Sequence, residues 1–194
     1  MIAYKLTDQN LQTHNGYQWV VGETRQTNGK GKLCGPGWLH YYSDPLLAQL
    51  LNPFHAAIHN PLIWECEVGK IQKHDRGLKS GTTNLTLKRK IQTNHLSNEQ
   101  KITFSIVLVK QVYSEVTWNT WANRWLSNVD RSIESASAAA HAASAANAAY
   151  AAANAAANAA DAANAADADN SFLRIGLDYL KAKWPELGQI VYLT

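Results

Sequence analysis

Ile102–Val129, ITFSIVLVKQVYSEVTWNTWANRWLSNV, decides the fold class, because its two halves carry different periods. Ile102, Phe104, Ile106, Val107, Leu108 and Val109 form a short run rich in apolar and β-branched residues, which predicts a strand over Ile102 to Val112 lying centrally in a sheet. From Thr117 the spacing turns helical. Trp118, Trp121, Trp125 and Val129 fall at i, i+3, i+7 and i+11, one face of a helix, with Arg124, Asn128 and Arg131 away from it. Docking of that helix on the β-rich domain is the structural expectation for the tryptophan row, and an aromatic binding surface is the functional one.

Upstream, the chain reads as short strands parted by turn signals. Ile2 to Leu6 forms a first strand, and Tyr17 to Val21 a second ending at Gly22. Asn28-Gly29-Lys30-Gly31 is a hairpin-type turn, and Gly35-Pro36-Gly37 stops any regular element. Ser43-Asp44-Pro45 supplies an N-cap followed by proline at the first helical position, so a short helix runs through Leu51. Leu62 to Val68 alternates as a half-buried strand, and Thr83 to Ile91 is another, its Lys88-Arg89-Lys90 an exposed strand end.

Downstream, 23 of the 33 positions from Ala136 to Ala168 are alanine, the residue of highest helix propensity. A continuous helix from Thr117 to Asp169 would extend roughly 80 Å. The polar residues that interrupt the alanines drift around such a helix, so no bulky stripe drives burial. Either a solvated rod or close packing of small side chains against another helix follows, and a leucine-type coiled coil does not. Asn170 or Ser171 caps a last amphipathic helix with Phe172, Leu173, Ile175, Leu177, Tyr179 and Leu180, and Gln189 to Leu193 forms a last strand. The expected architecture is α+β: a small, mainly antiparallel sheet domain over 1–115, a Trp-containing and then Ala-rich helical arm over 116–169, and a terminal helix and strand over 170–194.

The 194 residues carry a net charge of +3, divided as 13 basic against 8 acidic residues up to Glu115 and 5 against 7 beyond. Neither part has the charge density of a dedicated nucleic-acid binder, so no nucleic-acid partner is expected. MIAYKLTDQN has neither a basic n-region nor an apolar h-region, and no bulky apolar run is long enough to span a bilayer, so a cytoplasmic protein without membrane contact is expected. Cys34 and Cys66 lack CxxC spacing and read as core thiols.

Phosphate-loop, metalloprotease and nucleophile-elbow signatures are absent, and neither a cofactor nor a metal is expected. His55 and His59 stand at i, i+4, but Pro53 and Pro61 flank them and argue against a helical metal pair. The richest polar constellation is Gly37-Trp38-Leu39-His40-Tyr41-Tyr42, which reads either as a cleft lining or as a buried strand end with satisfied hydroxyls.

Four segments carry a resemblance: Ala3-Tyr4-Lys5; Gly16 to Glu23 (GYQWVVGE); Lys32 to His40 (KLCGPGWLH) followed by Asp44-Pro45-Leu46; and Glu65-Cys66-Glu67-Val68-Gly69. Together they resemble a family of phage and bacterial proteins with the approximate pattern YKGF, GFQYEVGK, LCxxGFHxCxNPL and AEVExxG, often extended by a Trp-containing helix and an Ala-rich segment. The resemblance implies a phage or prophage accessory protein, in the host cytoplasm or on the virion, and no particular reaction. A second similarity is to the layout of ADP-ribosyltransferases, in which a basic residue holds the ribose of NAD and a glutamate orients the attacking group. It nominates Tyr4, Lys5, His40, Tyr41, Tyr42 and Glu115 as a catalytic set converging on one cleft, without the family's paired ExE or QxE motif.

Binding rather than catalysis is the expected function. The partner is a protein, such as a bacterial defence complex blocked in the manner of an anti-CRISPR, or a second copy met through the Ala-rich arm in an oligomer. Trp118, Trp121, Trp125 and Tyr150 are the candidate binding residues. The alternatives are an NAD-dependent transferase and a structural role in the virion.

Overall fold

The computed structural model describes residues 2–75, 78–113, 116–132 and 171–193. Glu115, Tyr150 and the whole Ala-rich tract, with the helix and self-association expected there, lie outside the described residues. The architecture is α+β, and the chain divides into one unit of residues 1–96 with 185–194 and a second of residues 97–184.

The first unit is built on an antiparallel sheet. β1 (Ile2–Thr7) pairs with β6 (Leu62–Val68), and β6 with β9 (Asn84–Gln92). The outer edge of β9 is shared by two short strands laid along it, β4 (Thr24–Gln26) and β10 (Val191–Tyr192). β2 (Gln12–Thr13) and β3 (Tyr17–Gln18) make a small hairpin, so the strand expected over Tyr17 to Val21 is shorter than its apolar residues suggested. A second sheet has the order β5 (Leu39–Tyr41), β8 (Lys79–Thr82), β7 (Gln72–Asp75). Its Leu39 and Tyr41 join Ala3, Trp19, Trp64, Cys66, Leu85 and Leu87 in the core. α1 (Pro45–His55) starts as the sequence indicates: Pro45 occupies the first turn and the Asp44 carboxylate accepts the Leu46 N–H at 2.8 Å.

Two expectations are corrected here. Asn28-Gly29 does not turn a hairpin, because the Asn28 side-chain oxygen accepts the Lys30 N–H and the positive φ angles fall on Gly29 and Gly31. Cys34 is exposed and only Cys66 is a core thiol. His55 ends α1 while His59 lies beyond it, so the pair shares no helical face, and no metal-ligating cluster occurs among the described residues.

The second unit is helical, and here the opening stretch is corrected. Asn98–Val112 is a helix, α2, not a central strand. The Ser97 hydroxyl accepts the Gln100 N–H while the Gln100 side chain accepts the Ser97 N–H, a reciprocal cap that commits the chain before the β-branched run begins. Gln100, Thr103, Phe104, Ile106, Val107 and Val109 then form its buried stripe. α3 (Val116–Leu126) packs Trp125 and Ala122 on Ile106, with Trp118 and Trp121 partly buried against them. Val129 lies past the end of α3 and is exposed, because Asn128 turns the chain with positive φ. α4 (Ser171–Lys183) crosses α2 at Gly176, where an added Cβ would stand 2.6 Å from the Phe104 ring. No helix among the described residues is long and apolar enough to cross a membrane.

Candidate functional site

Strand alternation sends neighbouring candidates to opposite faces of the sheet. Ala3, Lys5 and Thr7 of β1 face the core, and Tyr4 faces the other side, in register with Glu65 and, through it, Arg89. The Arg89 guanidinium is bidentate on Glu65, at 3.0 and 3.1 Å, and the Tyr192 ring lies 3.5 Å from its central carbon. Glu65 holds the Arg89 proton more firmly than usual, and burial first of all, then Tyr192 and Glu65, pushes the Tyr4 hydroxyl up.

Lys5 has no carboxylate partner among the described residues. Its ammonium donates to the His40 carbonyl at 2.8 Å and stands 4.6 Å from the centre of the Trp19 ring, enclosed by core residues. Burial brings its pKa down to about 8. His40 turns its ring to the Leu33 carbonyl, and burial outweighs that bond and lowers its pKa. Tyr41 is fully buried and donates to the Gln72 side chain at 2.9 Å. Tyr42 exchanges backbone hydrogen bonds with Tyr4, at 2.7 and 2.8 Å, and stacks its ring on His55 with centroids 6.2 Å apart. Burial pushes the Tyr42 hydroxyl up to about 12 and the His55 imidazole down.

The structure therefore brings Tyr4, Lys5, His40, Tyr41 and Tyr42 into one neighbourhood, held by β1, β5 and the end of α1. It spends the side-chain polar groups of Lys5, His40, Tyr41 and Tyr42 on partners within that unit, with Tyr4 and Lys5 on opposite faces. Glu115 lies outside the described residues, as does Tyr150 of the binding set. Trp118, Trp121 and Trp125 rest against Ile106 and Ala122 of their own unit.

A further cluster escaped the sequence reading. The turn from Asn28 to Gly37 folds back on Trp38: the indole N–H donates to the Gly31 carbonyl, and Gly29 N–H donates to the Gly37 carbonyl at 3.0 Å. Trp38 lies over Gly81 of β8, where a Cβ would come within 3.1 Å of the Trp38 Cβ. The Lys73 ammonium stands 5.9 Å from the ring centre. Residues 26–41 include Lys30 and Lys32 and no acidic residue. The four glycines of this turn, Gly29, Gly31, Gly35 and Gly37, were a legible sign of tight backbone packing, but the cross-strand position of Lys73 was not.

Comparison with known proteins matches residues 1–99 to the family described as a domain of unknown function (DUF7666). A stretch of 63 residues is 33% identical to Contactin-4 of Rattus norvegicus, covering 32% of this chain and 6% of the length of that protein. No solved structure matches.

Proposed function

Since the chain belongs to the DUF7666 family, matched over residues 1–99, we propose that it acts by binding another protein rather than by catalysing a reaction. The observation that carries this reading is the internal use of the chemistry-bearing groups. Lys5 is taken by the His40 carbonyl, the His40 ring by Leu33, Tyr41 by Gln72 and Arg89 by Glu65. Such groups fix strands in register; a general base or nucleophile needs an atom free to meet substrate. The Trp38 face with its lysines, by contrast, is presented to solvent. The sequence resemblance to phage and bacterial proteins supports a role as an accessory factor that blocks a host defence complex.

Affinity capture with the full chain from a bacterial lysate tests the reading. One protein retained at a fixed, near-equal ratio is the expected outcome. Transfer of labelled ADP-ribose from NAD to a lysate protein, dependent on this chain, overturns it in favour of an NAD-dependent transferase.

A further inference from the structure

We propose that the face made by the loop from Gln26 to Trp38 together with β7 is the docking surface, and that it takes a carboxylate-rich segment of a protein partner. This rests on the protein-binding reading and adds the place and the chemistry. Lys30, Lys32, Lys70 and Lys73 are all exposed, and none forms an ion pair among the described residues. Elsewhere on the same unit the exposed bases are matched: Lys88 pairs with Glu67 at 2.7 Å and Arg89 with Glu65. Among the exposed bases described in this unit, those without an ion pair thus lie on one loop and the chain leading into and along the adjoining strand, while the unpaired Lys79 and Lys90 are half-buried; the exposed set calls for a negative partner.

The backbone beneath these lysines is fixed before any partner arrives. Asn28 Oδ1 holds the Lys30 N–H at 2.9 Å, the Lys32 carbonyl holds the Gly35 N–H at 2.9 Å, and glycine at position 37 lets the Lys30 main chain lie directly on it. Only the lysine side chains remain to be ordered on binding, which keeps the entropic cost low. Exposed Ile71, next to Lys70, offers an apolar contact on the same strand connection.

The state of Trp38 decides between a protein and a nucleic acid. A single-stranded nucleic acid binds by stacking bases on open aromatic faces. Here the indole already lies against Gly81, its N–H is engaged by Gly31, its outer edge approaches Gly29, and the Lys73 ammonium stands over the ring. Such a ring acts as a pillar between lysines and offers no open face on which a base could stack, which favours a carboxylate-bearing segment over a single-stranded nucleic acid.

The test measures fluorescence anisotropy of the full chain with two labelled probes, a 20-residue glutamate-rich peptide and a 20-nucleotide oligothymidylate. The peptide is expected to bind and to weaken about tenfold between 50 and 200 mM salt. Combined Lys30→Gln, Lys32→Gln and Lys73→Gln should weaken it at least about tenfold, and Lys88→Gln with Lys90→Gln about twofold or less. All these variants leave the core untouched, and circular dichroism checks that they fold. Tighter binding of the oligonucleotide, no binding of the peptide, or equal loss in both lysine sets overturns the proposal. A protein captured from lysate equally by wild type and the triple variant sinks this surface and leaves the protein-binding reading standing; capture of nothing sinks that reading itself.

Discussion

The two units treat their tryptophans differently. In residues 1–96 every indole N–H has an acceptor: Trp19 bonds Thr13, Trp38 bonds Gly31 and Trp64 bonds Thr7. In residues 97–184 the buried N–H groups of Trp121 and Trp125 find none among the described residues. A sheet assembled from distant segments needs polar contacts that single out one register, and the Thr7 hydroxyl meeting Trp64 supplies one between β1 and β6. A helix satisfies its backbone by itself and asks of its aromatic residues only bulk, so an unpaired indole is tolerated as a cost of about 1–3 kcal/mol.

The largest expected effect probes how far the first unit goes in burying polar groups. The folded state releases the Lys5 proton near pH 8 and the unfolded chain near 10.5, so between these values the unfolded state holds more protons and stability rises with pH. Below pH 8 the folded protein carries the full penalty, about 3 kcal/mol for this shift. Lys5→Met should abolish that rise. Denaturant unfolding of wild type and variant at pH 7 and pH 10 measures it, and parallel pH dependences would contradict the buried amine.

A direct comparison of the units comes next. Trp64 and Trp125 are equally buried, at 7% and 5% exposure, but only Trp64 has a hydrogen bond. Trp64→Phe leaves the Thr7 hydroxyl without its donor as well as opening a cavity, and should cost about 3 kcal/mol. Trp125→Phe removes an already unpaired N–H and should cost about 1 kcal/mol. Similar losses in the two unfolding curves would erase the distinction.

The smallest effect sharpens the comparison from the helical side. Ser97→Ala deletes one half of the reciprocal cap of α2 and should lower stability by about 1 kcal/mol, with less helical signal in circular dichroism.

These elements also show what a sequence discloses. Leu62–Val68 was legible to the residue as a strand because its sequence alternates with period two, but it is not half-buried as that pattern suggested, since Ile63 and Glu65 on the second face are buried along with Trp64 and Cys66. Pro45 and its preceding cap made the start of α1 equally plain, but its end was placed at Leu51, whereas the helix runs through Pro53 to His55. Ile102–Val112 was misread because a β-branched apolar run fits a central strand and a buried helix alike. The signal that separates them, Ser97-Asn98-Glu99-Gln100, lies outside the run. Of the candidate site, the closeness of Tyr4, Lys5 and His40 was suggested by the resemblance to the ADP-ribosyltransferase layout, not by the residue types. That Tyr4 and Lys5 face opposite ways follows from their adjacency on one strand. That the Lys5 ammonium ends on a carbonyl depends on pairing across the sheets, which no local pattern encodes. Lys73 escaped for the same reason: its place beside Trp38 is set by the register of β7 on β8.

The strand β10 adds a constraint of time. Val191 pairs with Gln92, and Asn94 donates to the Glu186 carbonyl, so the edge of β9 is closed by residues made roughly 100 positions later. At a synthesis rate of about 5–20 residues per second, a nascent chain carries that edge open for about 5–20 s. An open strand edge is a template for pairing with a neighbouring chain. Residues 191–193 thus act as a built-in guard made long after the strand they cover, and charged side chains on β9 such as Lys88 and Arg89 are of the kind that blunts an open edge in the interval.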